Sequence, residues 1–239
     1  MMCERPSLRA VIFDVDGTLA DTERDGHRPA FNDAFAMHGI DVTWDPEQYG
    51  RLLQMTGGRR RIAAELHRLG YAEAERRAAE IHATKTALFR DRILAGEVLP
   101  RVGLRSLLSS LADTGITIAV ATTGRRAWVE PLVDQLIGHG VADAVLTGDD
   151  VEQLKPDPEV YLKALDRLGI AAEQALAVED SSVGLRAAVA AGIATVVVTN
   201  DYTRAQDFAA AAAVRAGYGG PQSLTAAMCQ RIHRQWWGR

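Results

Sequence analysis

The chain has 239 residues, enough to bury a core as one large domain or two smaller ones. With 47% hydrophobic and 24% charged residues it has the balance of an ordinary soluble globular protein. The formal net charge of −4 excludes a general attraction for nucleic acid or an anionic membrane, so an anionic substrate would have to be held by local positive charge or a metal. Cys3 and Cys229 stand near opposite ends, outside any CxxC-type spacing, which leaves a zinc site unsupported and reads as two free thiols in a reducing cytosol. The N-terminus has no apolar signal core, and no stretch approaches the roughly 20 apolar residues of a membrane span. The expectation is a soluble, cytoplasmic monomer whose partner is a small molecule.

The first predicted strand covers residues 9–14, a short apolar run closed by an acid. Similar runs follow at 116–121, 142–146, 175–178 and 194–198. Continuous apolarity without alternation suits strands buried on both faces. Helical patterns lie between them, at 103–113, 126–137, 158–168 and 182–191. The alternation predicts an α/β fold, a Rossmann-like parallel sheet with helices on both faces. One stretch breaks the rhythm. Residues 21–97 hold no convincing strand but carry helical segments near 26–38, 60–69 and 72–94. This reads as an all-helical cap domain (21–97) inserted into a catalytic core (1–20 and 98–239), over the sheet edge where open α/β sheets bind ligands. The alanine run at 209–213 predicts helix, and Trp236 and Trp237 read as packing or tail residues.

The first strand ends in Asp14-Val15-Asp16-Gly17-Thr18-Leu19. In a continuing strand the two acids would share a face and repel. At a strand end, with Gly17 allowing a tight turn, they can converge with different tasks. One can be a nucleophile, as on the aspartyl-phosphate route, and the other the acid that protonates the leaving oxygen and then activates water. Thr122-Thr123-Gly124 ends the second core strand and offers a hydroxyl and backbone N–H groups near a helix start, a phosphate cradle, although Thr and Gly also simply end strands. In Lys155-Pro156-Asp157-Pro158 the N-cap Asp157 and the N1 Pro158 account for a helix start but not for Lys155, which would neutralise phosphoryl charge. Glu179-Asp180-Ser181-Ser182 brings two more acids to a strand end. Beside Asp14 and Asp16 they would repel unless a cation sat among them, and hard carboxylate oxygens imply Mg²⁺.

Taken together and in this order, these four elements resemble the signatures of the haloacid dehalogenase superfamily across nearly the whole chain. The resemblance implies that Asp14 is the nucleophile and Asp16 the general acid/base. It implies that Thr122 and Lys155, with Thr123, bind the transferring phosphoryl group, and that Asp14, the Asp16 backbone carbonyl and Asp180 hold Mg²⁺ with Glu179 nearby. Dehalogenase members lack the second acid, so Asp16 points to phosphoryl transfer. The segments around Asp14 to Phe31, Thr56-Gly57-Gly58, His82 to Lys85 and Val178 to Ala188 look like the CbbY type. That type dephosphorylates xylulose 1,5-bisphosphate, an inhibitor of ribulose-bisphosphate carboxylase. The stretch from Glu23 to His27 is one residue longer than in some relatives.

In the cap, Thr56-Gly57-Gly58 leads into Arg59-Arg60-Arg61. Three cations at a helix N-terminus oppose the macrodipole, and a solvated basic patch is one account of them. A second account is an anion site, with exposed N–H groups and Arg59 holding a distal phosphate. Lys85, through its match to the family's cap lysine, is expected to touch substrate. Glu23 and His27, four apart, could share a helix face and bind sugar hydroxyls, or form a surface pair. A β-phosphoglucomutase-like mutase, a phosphoglycolate phosphatase and a silent sugar-phosphate-binding module are the alternative functions.

Overall fold

Six short strands form one parallel sheet: β1 (Ala10–Phe13), β2 (Thr117–Ala121), β3 (Ala144–Leu146), β4 (Ala175–Glu179), β5 (Ala194–Val198) and β6 (Ala213–Arg215). The computed structural model describes residues 6–55, 57–220 and 223–238, so Cys3 and Thr56 lie outside the described residues. The strand order is β3-β2-β1-β4-β5-β6, with Phe13 opposite Val120 on one side and Val178 on the other. The order reverses at β1, so the end of β1 faces the switch point where such sheets place ligands.

Continuous burial of β1, β4 and β5 explains their unbroken apolar sequences. Between the strands lie α5 (Leu104–Asp113), α6 (Arg126–Ile137), α7 (Glu159–Leu168) and α8 (Ser182–Ala190). One face of the sheet is cut small. Ala119, Ala121, Ala175 and Ala177, with Ile12, pack with Val160, Tyr161, Ala164 and Leu165 of α7 and Ala187 and Ala188 of α8. Alanines there let the helices approach closely enough for Tyr161 to reach the strand ends.

The chain forms two compact units, Met1–Asp21 with Leu99–Arg239, and Thr22–Val98. The second unit is helical: α1 (Arg28–Met37), α2 (Pro46–Leu52), α3 (Gly58–Arg68) and α4 (Ala74–Leu94). Its core is aromatic, with Trp44 set 5.2 Å from Phe31 and 4.8 Å from Phe35 between ring centroids. No helix among the described residues is long and apolar enough to cross a membrane.

Several local expectations are corrected. The alanine run at 209–213 is not helical: Ala213 opens β6, paired with Val196, and Ala212 N–H donates to Thr195 O. Edge pairing outweighs alanine's helix propensity, which is worth only tenths of a kcal/mol per residue. Helix α7 begins at Glu159 rather than Pro158, although Asp157 still accepts from the Glu159 N–H. Helix α2, started by Asp45 accepting from Gln48 N–H with Pro46 at N1, carries too little apolar periodicity to be read from seven residues. A C-terminal helix, α9 (Ala226–Trp237), includes both tryptophans and buries Cys229, Ile232 and His233.

Candidate active site

The end of β1 carries Asp14, and the end of β4 carries Glu179 followed by Asp180. Because β1 and β4 are neighbours in parallel register, the three carboxylates meet. One oxygen from each lies within 4.8 Å of the others, and all three residues are buried. Lys155 joins them from the loop before α7. Its Nζ donates to Asp14 Oδ1 at 2.7 Å, Glu179 Oε1 at 2.7 Å and Ala121 O at 2.9 Å, so one ammonium ties together the ends of β1, β2 and β4.

The charge balance of this cluster is unequal. Burial pushes the Asp14 carboxyl above the usual range and Lys155 pulls against that. Glu179 is likewise raised by burial, with Lys155 opposing and Asp14 adding to the rise. Asp180 is raised well above its ordinary value by burial and by the charges of Asp14 and Glu179. Burial alone would lower Lys155, but the charges of Asp14 and Glu179 carry it upward, so it is firmly an ammonium. Three carboxylates against one ammonium is a site short of positive charge, with hard oxygen donors. That donor set fits Mg²⁺.

Neighbouring residues fix the acids in place. Tyr161 donates to Glu179 Oε1 at 2.6 Å, and Asn200 Nδ2 donates to Asp180 Oδ2 at 2.7 Å. Gly184 in α8 has no room for a side chain, since a Cβ there would lie 1.9–2.1 Å from the Glu179 carboxylate. Gly17, at φ +77°, is doubly required: its turn is left-handed, and a Cβ would lie 2.2 Å from Asp180 Oδ2. Asp16 sits in this turn, where Gly17 N–H donates to Ala20 O and the N–H groups of Thr18 and Leu19 reach Val15 O.

Thr122 is buried one residue past β2, its N–H donating to Leu146 O and its Oγ1 accepting from Gly124 N–H at 3.1 Å. Thr123 is half-buried beside it. The following helix start is held from the next loop. Asp149 accepts from Arg126 N–H at 2.8 Å, and Asp150 takes both oxygens to Arg126 Nη2.

The helical unit gathers a second cluster. Residues Glu23–His27 form a π-turn, with Arg28 N–H donating to Glu23 O five residues back. This is how a helix absorbs one extra residue, and it is the stretch whose length stood out in the sequence. Gly26 permits it, since a Cβ would lie 2.6 Å from the Phe89 ring. Glu23 accepts from Tyr49 OH at 2.5 Å, and Lys85 Nζ lies 2.6 Å from His27 Nδ1. An ammonium only donates, so Nδ1 accepts and the imidazole is the neutral Nε2–H form. Burial first, then Lys85, pushes His27 down to about 3.

Gly57 and Gly58 stand at the start of α3, where a Cβ on Gly58 would lie 2.8 Å from Phe31. Arg59 and Arg60 are exposed. Arg61 is buried, its Cζ 5.6 Å from the Phe31 centroid and 5.4 Å from that of Tyr49, and its Nε and Nη1 have no hydrogen-bond partner among the described residues. Among the three arginines, the orphaned guanidinium is the feature that fits an anion.

The sequence does not mark Tyr161, Asn200 or Tyr49 for these clusters, and it does not separate Arg61 from its two neighbours. Asn200 carried a signal, a polar residue directly after the fifth strand. Nothing local to Tyr161 shows that its hydroxyl reaches a carboxylate 18 residues away.

Residues 8–192 match the family of haloacid dehalogenase-like hydrolases. Among curated proteins, the chain is 42% identical over 207 residues to Protein CbbY of Rhodobacter capsulatus, covering 85% of this chain and 91% of that one. The crystal structure of CbbY from Rhodobacter sphaeroides in complex with phosphate superposes with a TM-score of 0.77 at 38% identity, covering 93% of this chain and 99% of that one. A mutant of the same protein in complex with xylulose 1,5-bisphosphate gives a TM-score of 0.74 at 38% identity, over 91% and 99% of the two chains. A parallel sheet whose β1, β2 and β4 ends converge on one lysine, matched along most of its length by these relatives, places the chain in the family: it is a haloacid dehalogenase-like hydrolase.

Proposed function

We propose that the chain is a Mg²⁺-dependent sugar-phosphate phosphatase working through an aspartyl-phosphate on Asp14, with xylulose 1,5-bisphosphate as its substrate. The observation that carries this is the buried group of Asp14, Glu179 and Asp180 held by Lys155. In this reading an Asp14 oxygen attacks phosphorus as the bond to the sugar oxygen breaks, and Asp16 gives that oxygen its proton. Asp16 then takes a proton from water, whose oxygen displaces phosphate from Asp14. Lys155 and Thr122 bind the phosphoryl oxygens, with Thr123 beside them. Asp14, the Asp16 carbonyl and Asp180 would hold Mg²⁺, with Glu179 nearby; when bound, the ion would offset the charge of the phosphoryl group.

The substrate choice is supported by the relative solved with xylulose 1,5-bisphosphate and by the second cluster. We assign the distal phosphate to Arg61, with Lys85 beside it, in preference to the exposed Arg59. Glu23 and His27 then face sugar hydroxyls, and Gly57 and Gly58 offer backbone N–H groups at the start of α3.

Phosphate release with Mg²⁺ on xylulose 1,5-bisphosphate, ribulose 1,5-bisphosphate, β-glucose 1-phosphate and phosphoglycolate tests the proposal. The expected result is strong preference for xylulose 1,5-bisphosphate, abolished by Arg61→Ala and kept by Arg59→Ala. Asp14→Asn should be folded and at least about a thousandfold less active. Turnover by a clean Asp14→Asn preparation would sink the aspartyl-phosphate route, and isomerised sugar without phosphate release would point to a mutase.

A further inference from the structure

Arg101 is an arginine that the chemistry above does not use. Its side chain is 8% exposed, and its shortest hydrogen bonds go to backbone rather than to a carboxylate. Nη1 donates to Gly17 O at 2.6 Å and Val198 O at 2.8 Å, and Nη2 to Thr199 O at 2.6 Å. Its own N–H donates to Leu19 O at 2.9 Å. The carbonyl between Gly17 and Leu19 is held as well: Thr18 O accepts from the buried Tyr218 OH at 2.9 Å, and Tyr218 lies under the Arg101 guanidinium at 5.7 Å. Three successive carbonyls of the turn that follows Asp16 are therefore fixed by Arg101 and Tyr218.

The same arginine sits where the chain passes to and from the helical unit. The first unit ends at Asp21 and resumes at Leu99. Arg101 Nε lies 3.6 Å from Asp21 Oδ1, so one side chain spans both connections and the catalytic turn. Gly103 admits the arrangement, since at φ +89° a Cβ would also lie 3.0–3.1 Å from Tyr218 and Gly219. Burying a guanidinium carries a large desolvation cost, and here its donors are spent on backbone carbonyls of the turn after Asp16 and of the chain after β5.

We propose that Arg101 is a positioning residue that, with Tyr218 and Asp21, clasps the turn carrying Asp16 to both connections of the helical unit and so aims the general acid. The inference rests on the role given to Asp16 under the proposed function. Displacing Asp16 harms departure of a sugar oxygen, which needs a proton, far more than departure of p-nitrophenolate, which needs little.

The test compares kcat/KM, which reports the step of leaving-group departure, on p-nitrophenyl phosphate and on the best sugar phosphate. Arg101→Lys is expected to lose about 30-fold or more on the sugar phosphate and less than about threefold on the nitrophenyl ester. Asp21→Asn should shift the ratio the same way by a smaller factor, and it carries the test if Arg101→Lys does not fold. Equal losses on both esters mean a merely structural role, and unchanged values mean none; either overturns the proposal. Asp16→Asn separates the two levels: if it shows no selectivity between the esters, the reading of Asp16 has failed. Amide exchange over residues 16–20 then decides the clasp alone. Exchange about tenfold faster in Arg101→Lys supports it and unchanged exchange overturns it.

Discussion

Tyr161 and Lys155 share one acceptor. The phenol donates to Glu179 Oε1 at 2.6 Å and the ammonium to the same oxygen at 2.7 Å, with Nζ stacked 4.8 Å from the Tyr161 ring centroid. The tyrosine thereby orients the carboxylate that in turn aims Lys155 at Asp14. Tyr161→Phe keeps the ring and removes the donor. A hydrogen bond to a charged group is worth about 1.5–3 kcal/mol. We expect urea melts to show a loss of that order and kcat to fall about tenfold with KM little changed. An unchanged kcat with a lowered stability would reduce Tyr161 to a packing role.

Mg²⁺ should act on stability as well as turnover. Asp180 is pushed up by burial and by its two acidic neighbours, so a bound dication relieves the folded state. A ligand at a hundred times its Kd adds about 2.7 kcal/mol. Titrating Mg²⁺ should raise the Tm of the wild type by several degrees, and Asp180→Asn should remove most of that rise. An equal rise in both proteins would exclude Asp180 as a ligand.

Gly184 offers a steric test. A methyl group added there would overlap a Glu179 carboxylate that Lys155 and Tyr161 hold from two directions, so the acid has nowhere to retreat. Gly184→Ala should cost about 1–3 kcal/mol, the usual range for overpacking, and lower kcat more than about tenfold. Gly217→Ala, where a Cβ meets nothing within 4 Å, is the control and should change neither.

His27 gives the helical unit a pH dependence. Its folded-state value of about 3 lies below the ordinary 6.5, so the unfolded chain binds the extra proton between those limits. The contribution to stability is complete above pH 6.5 and is lost as pH falls toward 3, at about 1.4 kcal/mol per pH unit for one full proton. Glu23 opposes this shift, whereas Lys85, Arg61 and His82 reinforce it. Denaturant melts at pH 4, 5 and 6 should show a flatter dependence for His27→Gln than for the wild type.

The parallel sheet and the core acids were legible because they are local facts. Asp14, Thr122, Glu179 and Asp180 each sit within a residue of a strand end, and short, wholly apolar strands announce themselves. Asp14, Glu179 and Asp180 meet because parallel register brings the ends of β1 and β4 together, and Lys155 reaches them from the loop before α7. The groups that hold them were not legible, since Tyr161, Asn200 and Arg101 act through contacts that only packing creates. In the helical unit, the choice among Arg59, Arg60 and Arg61 depends on which face of α3 is buried. Three consecutive arginines leave that face unmarked, and the structure buries Arg61. The alanines at 209–213 misled because helix propensity is a weak force beside an unpaired sheet edge.

The wide turn at Glu23–His27 separates two residues that a regular helix would hold in fixed phase. Because the wide turn absorbs the extra residue, deleting one residue there would restore ordinary winding and leave the chain on either side of it, α1 included, in phase. In this part of the chain, then, length can vary by one residue at the cost of local winding alone, and an indel there would be silent to the helix that follows.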